Sequence, residues 1–173
     1  MRNEDRIFAL DAGRLYVATG DVDAEELRTP ACYAGPTDGG ITLSYTSEVY
    51  EITDDRGCVI DTIPYGEKTT VSGKLARFQT RVLAGLTGCP RRTAEGSVSV
   101  TLGGRGTSRR QSVSVLLVCP LPDGEEFTLY ARCAADSGAS LRFSKEHSGA
   151  ISFSLTADEG GAVLTVGEVE TDA

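Results

Sequence analysis

The residues able to do chemistry are few and widely spaced. The one histidine, His147, stands beside Ser148 in the stretch Lys145-Glu146-His147-Ser148-Gly149. A His–Ser pair serves a hydrolase when the serine is presented on a sharp strand-to-helix elbow, and no G-x-S-x-G motif accompanies it. A histidine in a surface turn is the simpler reading. Gly103-Gly104-Arg105-Gly106-Thr107 is rich in glycine, as phosphate loops are. It lacks the Gly-Lys-Ser/Thr ending and the following helix that would aim backbone amides at a phosphate. Glu51, Asp54 and Asp55 bring three carboxylates close together, but without the alternating ligand spacing of a calcium loop. Cys32, Cys58, Cys89, Cys119 and Cys133 are odd in number, far apart and free of any C-x-x-C pair. They read as reduced thiols, some buried as small hydrophobes, and not as a zinc site. No residue earns a catalytic or metal-binding role, no cofactor is implied, and the chain is expected not to be an enzyme.

The chain's 173 residues suffice for one domain with a real core, and we treat 1–173 as a single unit. Twenty glycines beside many Ser, Thr and Val residues favour strands with frequent turns. The formal charge of −8 argues against gripping nucleic acid through its phosphates. Every apolar run falls short of the ~20 residues that span a bilayer, so membrane insertion is not expected. The charged start, Met1-Arg2-Asn3-Glu4-Asp5-Arg6, does not resemble a signal peptide.

The elements follow from periodicity. Residues 1–13 read as an arm, Arg14–Thr19 as a short strand, and 20–40 as a long turn-rich loop. From Ile41 to Ile52 the alternation of Ile41, Leu43 and Tyr45 with Thr42, Ser44 and Thr46 predicts a strand. Asp54-Asp55-Arg56-Gly57 is a turn signal, and the run from Cys58 to about Ile63 completes a long β-hairpin. Leu75, Phe78, Val82 and Leu86 recur at steps of three and four, which predicts one helix over Ser72–Thr87 with that stripe as its packed face. Thr70 or Ser72 would cap its start, and Gly88 and Pro90 would end it. Strands are then expected at Ser97–Leu102, Gln111–Cys119, Glu126–Ala134, Leu141–Phe143, Ala150–Ala157 and Ala162–Val166, the last two joined by a Gly160-Gly161 turn. The fold class is mainly β: a sandwich or barrel with one packed α-helix, a long hairpin and extended loops. Residues 167–173 form an acidic tail.

Charge is segregated. Asp38–Asp61 holds six acids and one base, whereas Arg91–Arg110 holds five bases and one acid. Two solvated loops of opposite sign would explain this, and so would complementary surfaces on neighbouring subunits. The second reading makes Asp54, Asp55, Arg105, Arg109 and Arg110 candidate inter-subunit contacts.

Two stretches carry a family resemblance. Tyr33–Leu75, YAGPTDGGITLSYTSEVYEITDDRGCVIDTIPYGEKTTVSGKL, and Phe143–Asp158, FSKEHSGAISFSLTAD, together cover about a third of the chain. Their order of glycine-rich turn, strand, acidic turn, second strand and polar segment, then a C-terminal turn and strand, resembles the major tail-tube proteins of bacteriophages. The Arg91–Arg110 segment and the acidic residues Glu168, Glu170 and Asp172 depart from the family pattern. The resemblance implies a structural subunit of the virion tail, assembled in the host cytoplasm. Subunits of that family form rings, typically hexameric, that stack into a tube and contact other tail proteins. Their strands join an inner β-barrel through which DNA passes without specific binding. On that footing Glu48, Glu51 and Asp61 are candidate lumen-facing acids, because carboxylates repel phosphates. Two alternatives remain: a monomeric β-sandwich that binds a ligand or decorates a virion, and a tube subunit of a related contractile injection system.

Overall fold

The computed structural model describes residues 13–76, 79–87, 89, 91–101, 112–122, 124–134, 139–142 and 150–168. The chain is mainly β, with strands β1 (Arg14–Thr19), β2 (Tyr33–Thr53), β3 (Val59–Leu75), β4 (Arg91–Ala94), β5 (Ser97–Val100), β6 (Ser112–Pro120), β7 (Glu125–Ala134), β8 (Ala139–Arg142) and β9 (Ala150–Glu168). Among the described residues two helices accompany them, α1 (Ala24–Leu27) and α2 (Thr80–Thr87). The main sheet runs β3-β2-β1-β6-β7-β9-β8, and β3 also pairs with β9. That extra pairing closes the circuit β1-β2-β3-β9-β7-β6 into an antiparallel barrel, with β8 attached to β9.

Alternation sorts the side chains into two layers. Leu15, Val17, Val71, Leu75, Val115, Leu117, Leu129, Ala131, Ile151, Phe153 and Leu155 point inward and form one cluster. Val82, Leu83 and Leu86 of α2 belong to the same cluster, so the helix caps the inner face of the barrel. Gly85 lets α2 approach β1 closely: a Cβ there would lie 3.0 Å from Val17 Cγ1. A second, smaller cluster on the outer face joins Leu116 and Val118 of β6 to Leu27 of α1. β6 is therefore covered on both faces, which is why Val113 to Cys119 is a nearly unbroken apolar run. Its one polar residue there, Ser114, is satisfied: its hydroxyl accepts from the Val22 N–H at 3.0 Å and donates to the Gly20 carbonyl at 2.9 Å.

Several expectations need correction. α2 begins at Thr80 and not near Ser72, because β3 continues to Leu75. Val71, Gly73 and Leu75 alternate with Ser72 and Lys74, and pairing with both β2 and β9 rewards that period of two. Leu75 is fully buried as expected, but as a strand residue, while Val82 and Leu86 are buried on the helix. Phe78, Gly88 and Pro90 lie outside the described residues. The expected loop over 20–40 contains α1 and the start of β2. Gly160-Gly161 is not a hairpin turn. β7 runs alongside both halves of β9, so the extra residues between Ala157 and Ala162 form a bulge opposite Arg132. β4 and β5 make a separate small hairpin through Glu95 and Gly96, both at positive φ (45° and 78°), the backbone that a tight two-residue turn requires.

Candidate functional site

The conspicuous surface is the distal half of the β2–β3 hairpin. Where β2 leaves β1, Gly39 and Gly40 take positive φ values of 75° and 84°, and the register shifts between the pairs Thr37–Leu75 and Ile41–Gly73. Beyond this bulge β2 pairs only with β3. Beyond Thr70, β3 in turn has left β9. Among the described residues, Tyr45–Thr53 and Val59–Thr69 thus form a two-stranded ribbon whose outer edges have no strand neighbour. A second bulge at Gly66 (φ 61°) sets Gly66 and Glu67 opposite Ser47.

The tip is well organised. The Asp54 carboxylate accepts the N–H groups of Arg56 at 2.9 Å and Cys58 at 2.8 Å, and its backbone N–H bonds to the Cys58 carbonyl at 2.9 Å. This is the local closure that Asp favours in turns. Asp55 is exposed there and Asp54 is half-buried.

Strand alternation divides the ribbon into two faces. Tyr45, Val49 and Glu51, with Pro64, Thr62 and Val59 across the ladder, continue the inward face of the barrel. Glu48, Tyr50 and Ile52, with Tyr65, Ile63 and Asp61, share the other face. Both faces carry large exposed apolar groups. Tyr45 and Val49 on the first are 60% and 58% exposed, and Tyr50 on the second is 63% exposed; Ile60 is 66% exposed. The Tyr45 hydroxyl donates to Glu67 Oε1 at 2.8 Å, and the carboxylate beside it raises the phenol's pKa.

The three candidate lumen acids therefore do not form one set. Glu48 and Asp61 share a face, and Glu51 points from the opposite one. Grouping Glu48 with Glu51 overlooked their spacing, because residues three apart in a strand point to opposite faces. Arg105, Arg109 and Arg110 lie outside the described residues, as do His147, Ser148 and the 103–107 glycine loop.

A second open edge lies on β9. From Ala157 to Glu168 it pairs with β7 on one side, with no strand on the other among the described residues. Val163, Leu164 and Val166 are exposed along it.

The opposite flank of the barrel is sealed by an ion-pair network that the sequence reading missed. Glu126, only 8% exposed, accepts from Arg14 at 3.2 Å and Arg28 at 2.7 Å. Arg132 bonds to Asp21 at 2.5 Å, and the Tyr130 hydroxyl donates to the Val22 carbonyl at 3.0 Å. These contacts fasten the α1 segment onto β6 and β7. Charge type alone offered no signal for them, since the partners are about a hundred residues apart.

Among the described residues, no group of three or more His, Cys, Asp or Glu side chains is placed to hold a metal ion. No helix among them is long and apolar enough to cross a membrane. Cys119 and Cys133 are buried, and Cys58 is exposed at the ribbon tip. No protein-family model and no curated protein matches this sequence.

Proposed function

We propose that this chain is a self-assembling structural subunit of a phage tail tube, forming stacked rings that enclose a conduit for DNA delivery. The observation that carries the reading is the ribbon: exposed apolar side chains on both faces and, among the described residues, no strand paired to either outer edge. Open strand edges are templates for pairing with another chain, and folded proteins that work alone usually blunt or cover them. Contiguous exposed apolar surface marks an interaction site. A second open edge on β9 supplies a different surface on the same molecule, which suits head-to-tail association that closes into a ring. The resemblance of Tyr33–Leu75 and Phe143–Asp158 to tail-tube proteins supports the same reading, with a related contractile injection system as a close variant.

Tyr50 and Tyr65 favour a second reading. They share one face of the ribbon, and exposed aromatics on a sheet face suit a ligand-binding module that works as a monomer.

Sedimentation velocity over a wide concentration range, with negative-stain microscopy of the same samples, separates the two. Rings or tubes that grow with concentration are expected. Monomer at every concentration, including in the presence of native tail seeds, overturns the tube reading.

A further inference from the structure

The barrel wall made by β2, β3 and β9 has an outer face lined by short hydroxyl side chains. Thr42, Ser72 and Ser154 stand in one row across the three strands, and Ser44, Thr70 and Thr156 stand in the next. Each alternates with an inward apolar residue, such as Val71, Phe153 or Leu155, so all six hydroxyl side chains point out of the barrel. Thr70–Leu75 pairs with Thr156–Ile151 without a register shift, so the rows are continuous. The corresponding outer face of β6 is covered by α1; among the described residues no helix covers this one, where Thr42 and Ser44 are exposed and Thr70, Ser72, Ser154 and Thr156 half-buried. A shallow open cleft of about 360 Å³ lies at its lower margin, between Asp38 and Lys74.

We infer that this hydroxyl-lined face, and not the acidic ribbon, is the surface along which DNA passes. The inference rests on the proposed tube function and deepens it. Interface cores are depleted in serine and enriched in aromatic residues, so the ribbon has the composition of a contact surface and this wall does not. Short neutral hydroxyls exchange hydrogen bonds with water freely. They present no cation whose pairing with phosphate would release counterions and hold the duplex. The backbone here is already paired on both sides of β3, so only side chains face outward. Lys68, which pairs with Thr46, and Lys74 border the rows, and Glu48 follows on the same face one step further along the ribbon. Cation and carboxylate thus lie at the margins of the neutral rows.

The test uses Ser72→Cys and, as an outward control, Asp23→Cys beside α1. Both are placed in a chain whose accessible thiols Cys32, Cys58 and Cys89 are changed to serine. Assembled material is treated with N-ethylmaleimide and with a maleimide carrying a polyethylene glycol chain too bulky to enter a bore. The expected result is that Asp23→Cys reacts with both reagents, and that Ser72→Cys keeps its reaction with the small one and loses it with the bulky one. Reaction of Ser72→Cys with both reagents puts the face outside and overturns the inference while leaving the tube standing. Reaction with neither means that the face is packed against another copy, which also overturns it. Failure of the wild-type chain to assemble is seen before any labelling, and overturns the tube reading and this inference together. Should the serine background not fold, electron cryomicroscopy of wild-type assemblies reads directly whether the Thr42–Ser72–Ser154 row borders the bore. As a functional arm, the Ser72→Lys/Ser154→Lys variant should retain short duplex DNA on its assemblies, where the wild type does not. Its binding should weaken with salt by a log–log slope of about −0.9 for each phosphate contacted. Unchanged DNA retention in that variant counts against the inference.

Discussion

Glu48 and Glu51, three residues apart on β2, project from opposite faces of the same ribbon. Their substitutions should therefore act independently. Glu48→Lys and Glu51→Lys are expected to change the assembly free energy additively, to within about 0.5 kcal/mol, because the side chains point to opposite faces and share no partner among the described residues. Critical concentrations of the two single variants and the double variant measure this. Strong coupling would mean that both residues meet one common surface.

The Tyr50→Lys/Ile63→Lys double variant should assemble poorly and still fold. Tyr50 and Ile63 are cross-strand neighbours and both are exposed, so the barrel core loses nothing. A circular dichroism melt unchanged from wild type, with assembly lost in sedimentation, is the expected pair of results. Normal assembly would remove the ribbon's second face from the interface.

The Gly73→Ala variant should be less stable by about 1–3 kcal/mol, the usual cost of overpacking. The added Cβ would stand 3.2 Å from the Gly40 carbonyl oxygen and from Ile41 Cγ1, and 3.3 Å from Phe153 Cζ. Urea denaturation gives the measurement. Leu86→Ala, which opens a cavity under α2, should cost about 2–5 kcal/mol by the same assay.

Glu126→Ala should cost about 1–3 kcal/mol, since it removes a carboxylate that Arg14 and Arg28 share. Amide exchange in α1 should accelerate more than in β6. Uniform loosening of both would show that the network does not act as a local fastening.

Stability should fall at alkaline pH. Burial, with the charge of Asp158 as a smaller cause, pushes the Cys133 thiol from its ordinary 9.0 up to about 12. Above about pH 9 the unfolded chain has released this proton and the native chain retains it, so each further pH unit favours unfolding. The contribution is complete below about pH 9 and is lost as pH approaches about 12. Cys119, also raised by burial, adds in the same sense. A Cys133→Ala variant should show a shallower alkaline limb in the melting temperature.

The hairpin, the strands β6 and β7 and the burial of Val82 and Leu86 were legible in the sequence because alternation and helical spacing report which side of an element is covered. Two signals misled. Leu75 fits both a helical stripe and a strand, and only its pairing with Ile151 and Thr37 decides between them. Gly160-Gly161 looks like a reversal, yet Leu129 and Cys133 of β7 hold partners on both sides of it, Leu164 and Ala157. Those partners come from distant segments, so no local pattern could arbitrate. The opposed directions of Glu48 and Glu51, by contrast, required only parity.

The root of the ribbon has a mechanical consequence. The strand that carries the ribbon outward is the same strand that closes the barrel, and over Thr70–Leu75 it is held by β9 along six consecutive residues while β2 grips its other flank. A pull on the ribbon reaches this stretch along the strand axis, at right angles to the ladder bonds. The bonds are then loaded together in shear and not opened singly like a zip. Tension passed from one copy to the next would meet its firmest resistance at this clamp, leaving the tip free to yield first.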